Sequence, residues 1–402
     1  MRWLAILLVI GGLDTTPVKG FNLYSPRRRK HKRRRGEDQW KVFPDVSSTS
    51  IQDSTVDDVA PDGSHARRNI AALVSDDPSE EEAVNHLHKV AEDLGLRIVR
   101  GADGGESYTH YLTTTPIRKR NSHAIAIQSV QASKSRRRLK LESPVLIDFL
   151  PPPDSKLGYR LKSDAGGGME MLVKALGVKK MIPEKEASGE NLVVYDLTAG
   201  LARDSIVIIS SVLSTMSTKN SITSFRLLLV ERDRIISVLL KDALRRLGET
   251  DDEYARQLKS SVTMREGESV HVLRMLREEP SDRRRVAYPP DIIYLDPMFP
   301  PRRKKASAVK KDLAMLHALL GTAEATENNS SRIKEERDLL LSAYEAATRR
   351  VVIKRPVAAP PLGIDDDANT DPGIPRHTDP GIPRPSFEVK GSTNRFDVYL
   401  KS

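Results

Sequence analysis

The residues with the most chemical potential are Asp296, Pro297, Met298, Phe299 and Pro300, with the basic run behind them: Arg302, Arg303, Lys304, Lys305, Lys310 and Lys311. They follow DIIYLD, an apolar run that reads as a buried parallel strand. Packing asks for neither a carboxylate nor an aromatic ring where such a strand ends. A carboxylate acceptor, a ring that can stack and a cluster of cations together suit a planar base carried on a phosphate backbone. Lys354 and Arg355, at the end of the next apolar run, RVVIK, add a second phosphate-facing pair. Taken alone, Asp296 also reads as a helix cap, Phe299 as a core plug and the cations as a solvated helix face.

Three other apolar runs end in polar residues. LVVYDL leads into Asp196-Leu197-Thr198-Ala199-Gly200-Leu201-Ala202-Arg203-Asp204, a small-residue turn of the kind that brings backbone N–H groups and a helix amino end close to a ligand. FRLLLVE ends in Glu231 and Arg232, where a nucleotide ribose finds an acceptor for its hydroxyls. VTMRE leads to Glu268 and Ser269, within reach of an adenine edge. Neither GxGxxG nor GxxxxGKS/T occurs, so the turn suits a nucleoside without a long phosphate tail. S-adenosylmethionine fits that description.

These exits must be held by a sheet. After Asn191 the chain alternates apolar strands with amphipathic helices and closes with FEVKG and RFDVYL, which predicts an open, mostly parallel α/β sheet with an antiparallel C-terminal hairpin. Ligands in such a sheet bind at the carboxyl ends of the strands. Residues 67–187 mix the helical stretch EEEAVNHLHKVAEDLGL with β-like runs YTHYLTTT, HAIAIQSV and PVLIDFL, and predict a small N-terminal α+β domain, leaving 188–402 for the larger sheet. Tyr195 and Tyr294, inside strands, read as core. Residues 363–386, with TDPGIPR twice, read as an extended surface insertion.

Composition narrows the chemistry. The 402 residues contain no cysteine, which excludes disulfides, thiolate metal sites and a cysteine nucleophile, and the nine histidines form no metal-binding pair, so no metal is expected. Residues 1–40 carry a net +7 of the chain's +10, so the remainder is nearly neutral and any nucleic-acid contact must come from local patches.

With these pieces in place, the sequence resembles the RsmJ family, which methylates the exocyclic N2 of a guanosine in 16S-type small-subunit ribosomal RNA. LIDFL, GGGMEMLVKALGV, DLTAGLARD, LLLVERD, YLDPMFPPRRKKASAVKKDLAMLHALLG, RRVVIKRPVAAPPL and KGSTNRFDVYL carry it, in family order, from about residue 144 to 400. The resemblance implies a class I, Rossmann-like methyltransferase fold with a seven-stranded sheet and S-adenosylmethionine as cofactor. It assigns Arg203 and Asp204 to the cofactor's methionine end, Glu231 and Arg232 to its ribose, and Glu268 and Ser269 to the neighbourhood of its adenine. Asp196 and Gly200 belong to the same cradle, and Asp296, with Pro297 and Phe299, opens the catalytic loop. Ala202 stands where the family commonly has glycine, and Glu268 where it has a small hydroxyl residue. The implied partner is small-subunit rRNA or a pre-ribosomal particle, with no stable membrane association once a presequence is removed. Two other readings stay open: methylation of adenine N6 or cytosine N4, and a non-catalytic ribosome assembly factor.

The first residues read as an address. WLAILLVIGGL is an apolar core of signal-peptide length, with small residues up to Gly20. FNLYSPRRRKHKRRR follows, and 21–66 then read as a basic transit-like segment and linker. The pairing resembles the two-part presequence of algae with secondary plastids and predicts a plastid location; the mitochondrion and the cytoplasm are the alternatives.

Overall fold

A computed structural model describes residues 69–100, 108–117, 120, 122–131, 140–163, 170–218, 224–278, 288–297, 315, 319, 329–359, 361–362, 381 and 383–401. The presequence, Phe299, the basic residues 302–311 and most of the TDPGIPR insertion lie outside these residues.

The chain opens with β1 (Ile70–Val74), α1 (Glu81–Leu94), β2 (Arg97–Arg100), β3 (His110–Pro116), β4 (His123–Gln131) and β5 (Lys140–Leu141). Asp77 caps the turn before α1 by accepting from the Ser79 N–H at 2.9 Å, and Gly95 ends the helix in the left-handed conformation. These strands form a sheet in the order β2-β1-β3-β4-β5, with β1 parallel to β2 and β3, and β4 antiparallel to its neighbours. PVLIDFL, expected as a strand, forms only a single bridge from Val145 to Ile127. Arginines take its carbonyls instead: Arg246 donates to Ile147 O at 2.5 Å and Arg120 to Leu150 O.

Then come α2 (Lys156–Ser163), α3 (Met171–Leu176), α4 (Val178–Ser188), β6 (Leu192–Asp196), α5 (Arg203–Thr218), β7 (Phe225–Glu231), α6 (Arg234–Gly248), α7 (Glu253–Ser261), β8 (Val262–Glu266), α8 (Ser269–Glu278), β9 (Ile292–Leu295), α9 (Asn329–Ala346), β10 (Arg350–Pro356), β11 (Phe387–Lys390) and β12 (Asn394–Leu400). The second sheet has seven strands in the order β11-β12-β10-β9-β6-β7-β8. β8, β7, β6, β9 and β10 run parallel, and β12 lies antiparallel between β10 and β11. This is the class I methyltransferase order. All five residues of β6 and all four of β9 are buried, as central parallel strands covered on both faces must be. From β6 the chain steps outward to β7 and β8, then returns to β9 on the other side of β6. That reversal opens a crevice at the carboxyl ends of β6 and β9.

The two sheets share one apolar core, which runs from Ile70, Ala72 and Ile125 through Leu239 and Leu240 to Val194 and Tyr294. Helices α3 and α4, expected within the N-terminal domain, bury Leu172, Val173, Leu176, Val178 and Ile182 in that core. The expected boundary at 187/188 therefore coincides with no break in packing. Asp242 on α6 ties the sheets together through polar contacts. It accepts from Ile125 N of β4 at 3.0 Å, Arg246 Nε at 2.8 Å and Arg245 Nη2 at 2.9 Å, with the His86 ring 3.6 Å away. Burial pushes this carboxyl up, but His86 and the arginines outweigh it and hold the pKa at about 2.

Asp242→Ala would leave the buried Arg246 with only Asp148, 4.0 Å away, as counter-charge, and is expected to lower the unfolding free energy by about 3 kcal/mol, read from denaturant melts. Because the folded pKa lies below the ordinary 3.8, the stabilisation is complete above pH 4 and is lost as the pH falls through about 2. The variant's stability should therefore converge on the parent's in acid.

Candidate active site

The turn after β6 is built around a buried carboxyl. Asp196 Oδ1 accepts from the Thr198 N–H at 3.1 Å and Oδ2 from the Ser205 hydroxyl, which fixes the turn to the first residues of α5. Burial pushes Asp196 up to about 7; the Ser205 and Thr198 bonds oppose this, and the charges of Asp204 and Asp296 add to it. Gly200 and Ala202 both have left-handed backbones, with φ of 50° and 54°. Ala202 thus stands where glycine would be unstrained, at a cost of about 1 kcal/mol. The surface over Gly200 is open: an added Cβ would meet nothing closer than Thr198 O at 3.9 Å. A flat ligand can approach the backbone there, so the cradle fits a nucleoside.

The ends of the next two strands join that turn. Glu231 Oε2 accepts from Gly200 N at 2.8 Å, while Oε1 accepts from Asp233 N at 2.8 Å. Burial raises the Glu231 pKa, and these two N–H groups oppose the rise. Asp233 in turn caps α6 through Ile235 N and Ile236 N, both at 3.0 Å. Gly267 N donates to Glu231 O at 2.9 Å, and the Ser269 hydroxyl donates to Leu197 O at 2.5 Å. The exits of β6, β7 and β8 therefore line one cleft. Arg232 and Glu268 form an exposed pair on its rim, 3.5 Å apart. Arg203, at the start of α5, is exposed.

Across the cleft, the exit of β9 is fastened to the same turn. Asp296 N donates to Thr198 Oγ1 at 2.6 Å. Lys354 Nζ lies 2.7 Å from both Asp204 Oδ2 and Asp296 Oδ2 and bridges the two acids. Asp204 also accepts from the Tyr294 hydroxyl at 2.7 Å and from Arg160 Nη1 at 2.8 Å. Arg160 continues to Glu170 at 2.6 Å, whose other oxygen caps α3 through Leu172 N at 2.7 Å. A chain of alternating charge thus runs Glu170, Arg160, Asp204, Lys354, Asp296. Burial would raise Asp204, but the Lys354 and Arg160 charges hold it well below the ordinary carboxylate range. Asp296 goes the other way: burial lifts it, the Lys354 ammonium opposes the rise, and the Asp204 charge adds to it. Burial disfavours the Lys354 ammonium, yet the two carboxylates outweigh that and keep it protonated.

The structure thus brings together Asp196, Gly200, Asp204, Glu231, Ser269 and Asp296, with Pro297 following directly. Phe299, Arg302, Arg303, Lys304, Lys305, Lys310 and Lys311 lie outside the described residues. Two expectations change. Lys354 and Arg355, expected at the end of their strand, are residues of β10, which runs on to Pro356, so they point to opposite faces of the sheet. Lys354 faces the cleft and is held by two carboxylates, and Arg355 is 5% exposed with Nη1 3.7 Å from Glu336, so each is paired with acids of the fold itself. Tyr294 is core by burial, as read, but its hydroxyl belongs to the site. Arg160 was not anticipated; nothing in KLGYRLKS announces it. Lys354's cleft position had one usable signal, a lysine among apolar residues in a strand. Among the described residues, no group of three or more His, Asp or Glu side chains could hold a metal ion.

Known proteins of similar sequence show the family. A family described as "Putative SAM-dependent methyltransferase" matches residues 112–372. The ribosomal RNA small subunit methyltransferase J of Pseudoalteromonas atlantica is 31% identical over 256 residues, covering 64% of this chain and 76% of the relative. Its namesake in Tolumonas auensis is 30% identical over 259 residues, covering 64% and 78%. A solved SAM-dependent methyltransferase from Neisseria gonorrhoeae overlays with a TM-score of 0.45 at 21% identity, covering 82% of this chain and 95% of that one. The chain belongs to the S-adenosylmethionine-dependent methyltransferase family whose curated relatives are named ribosomal RNA small subunit methyltransferase J.

Proposed function

We propose that this enzyme methylates the exocyclic N2 of a guanosine in small-subunit ribosomal RNA, in a plastid. The observation that carries the reading is the fastening of Asp296 to the nucleoside cradle: its N–H on Thr198 and its carboxylate on Lys354, which also holds Asp204. An acceptor and a cofactor seated on these two segments share one cleft.

S-adenosylmethionine, when bound, supplies a methyl group on a positively charged sulfur, open to in-line attack by a nitrogen lone pair. Glu231 is the ribose acceptor, the open turn at Gly200 takes the nucleoside face, and Asp204 with Arg203 takes the methionine end. The chain's own work is on the acceptor. The lone pair of a guanine N2 amine is drawn into the ring, and acceptors that bind its protons turn that lone pair outward and stabilise the charge that forms. The Asp296 carboxylate and the carbonyl of Pro297 are those acceptors. Lys354 favours the ionised form of Asp296 and aims it. Phe299 stacks on the extruded base, and the cations from Arg302 to Lys311 hold flanking phosphates. Residues 1–20 act as a signal peptide and 21–40 as the basic transit segment that follows it.

Asp296→Ala is expected to abolish methyl transfer to transcribed small-subunit rRNA while cofactor affinity, read by calorimetry, stays within about tenfold. Asp204→Ala should weaken cofactor binding itself. Parental turnover by the Asp296 variant would refute the acceptor role.

Lys354→Met removes the charge that opposes protonation of Asp296, a site also faced by Asp204, Asp196, Tyr294 and Arg160. Since the transfer needs the ionised carboxylate, the acid limb of the kcat profile is expected to move to higher pH, with Lys354→Arg lying between. A limb that stays in place would remove Lys354 from the mechanism. For the address, residues 1–66 fused to a fluorescent protein should direct it to the plastid; a mitochondrial or cytoplasmic signal would overturn that part of the reading.

A further inference from the structure

Helix α2 joins the site on one side and faces solvent on the other. Its start is locked: the Ser155 hydroxyl accepts from Gly158 N at 3.0 Å and donates to Pro152 O at 2.6 Å. Gly158 lies against that turn so closely that a Cβ would come within 2.2 Å of Pro152 O. Leu157 and Leu161 pack against the core, and Arg160 reaches inward to Asp204 and Glu170. The opposite face carries Lys156, Tyr159 and Lys162, spaced three apart and all exposed. Tyr159 is 63% exposed, the highest value among the exposed large apolar side chains of the described residues. Lys162 Nζ stands 5.6 Å from its ring centroid.

Burying such a ring removes apolar surface from water, and leaving it exposed beside the Lys162 ammonium does not help the fold. It is useful if something planar and anionic docks there. Lys156 and Lys162 supply positive charge on either side of an aromatic face, and α2 is held rigidly by its cap, its leucines and Arg160, so little ordering cost is left for binding. Among the described residues the nearest exposed acid in sequence is Asp154, in the turn before the helix; Asp164, two residues after Lys162, lies outside them. Aromatic faces flanked by cations bind unpaired nucleotides by stacking and phosphate contact, whereas the bases of an RNA duplex are already stacked on one another.

We propose that the Lys156-Tyr159-Lys162 face of α2 is an RNA-docking platform that holds an unpaired nucleotide flanking the target, with Tyr159 stacked on its base and the two lysines on neighbouring phosphates. The proposal rests on RNA being the substrate. It also places the RNA path along the side of the cleft where Arg160 meets Asp204.

The test uses the full-length protein and a labelled single-stranded oligoribonucleotide followed by fluorescence anisotropy, beside methyl-transfer kinetics on transcribed small-subunit rRNA. Tyr159→Ala is expected to weaken oligonucleotide binding and raise the KM for rRNA about tenfold, and Tyr159→Phe to restore both. The double variant Lys156→Ala/Lys162→Ala should flatten the dependence of log affinity on log salt by about 1.4. Melting temperature and cofactor affinity should stay at parental values in all three. Parental RNA affinity and salt slope in Tyr159→Ala and the double variant would overturn the platform, as would dependence of anionic phospholipid vesicle binding on these residues with RNA affinity unchanged. The functional reading fails separately, if the parent protein transfers no methyl group to rRNA; loss of oligonucleotide binding in the variants would still support the platform.

Discussion

A single ammonium group organises the cleft. Lys354 is 2.7 Å from one oxygen of Asp204 and 2.7 Å from one oxygen of Asp296, and these acids come from opposite sides of the sheet's reversal point. Without that cation the two carboxylates would repel one another in a poorly solvated place, and one of them would take up a proton. With it, Asp204 stays ionised next to the cradle and the upward push on Asp296 at the exit of β9 is opposed. Such a chain adds little net stability, since the desolvation of its members offsets most of their attraction. Its value is positional: it fixes the two carboxylates of the cleft relative to one another.

The sheet order makes this meeting possible. β6 and β9 are hydrogen-bonded neighbours, with Asp196 in register with Tyr294, so their exits are adjacent although about a hundred residues of chain separate them. β10 lies beside β9, and its alternation turns Lys354 to the cleft face while Arg355 turns away. The insertion of β12 between β10 and β11 leaves β10 central, with its lysine shielded. From the other flank, α2 contributes Arg160 to Asp204. The N-terminal sheet enters through α6 and the Asp242 network on the face of β7 that carries Leu227 and Leu229, while α8 packs Val272 and Leu273 against Leu228 and Val230 on the other.

Much of the larger sheet was legible because central parallel strands must be continuously apolar, and LVVYDL, FRLLLVE, DIIYLD and RVVIK are. The acids of the site were legible for the same reason: a charge at the end of such a run has no packing role. Other parts obeyed no local rule. PVLIDFL is apolar and buried but not a strand, because Arg120 and Arg246 satisfy carbonyls that a ladder would otherwise take. β1 and β2 are short, and their parallel pairing depends on partners distant in sequence. MEMLVKALGV contains α3, but Gly177 adopts a left-handed backbone that ends it, and a separate helix, α4, starts at Val178. Arg160 was hidden because a basic residue on a polar helix looks like any solvated side chain until the fold supplies its partner.

The most direct test of the central claim is mass mapping of small-subunit rRNA from cells lacking this protein. The account predicts the loss of one methyl group from the exocyclic N2 of a single guanosine, restored by the parent gene and not by Asp296→Ala. A methyl lost instead from an adenosine or cytidine, or an unchanged methylation map, would contradict it.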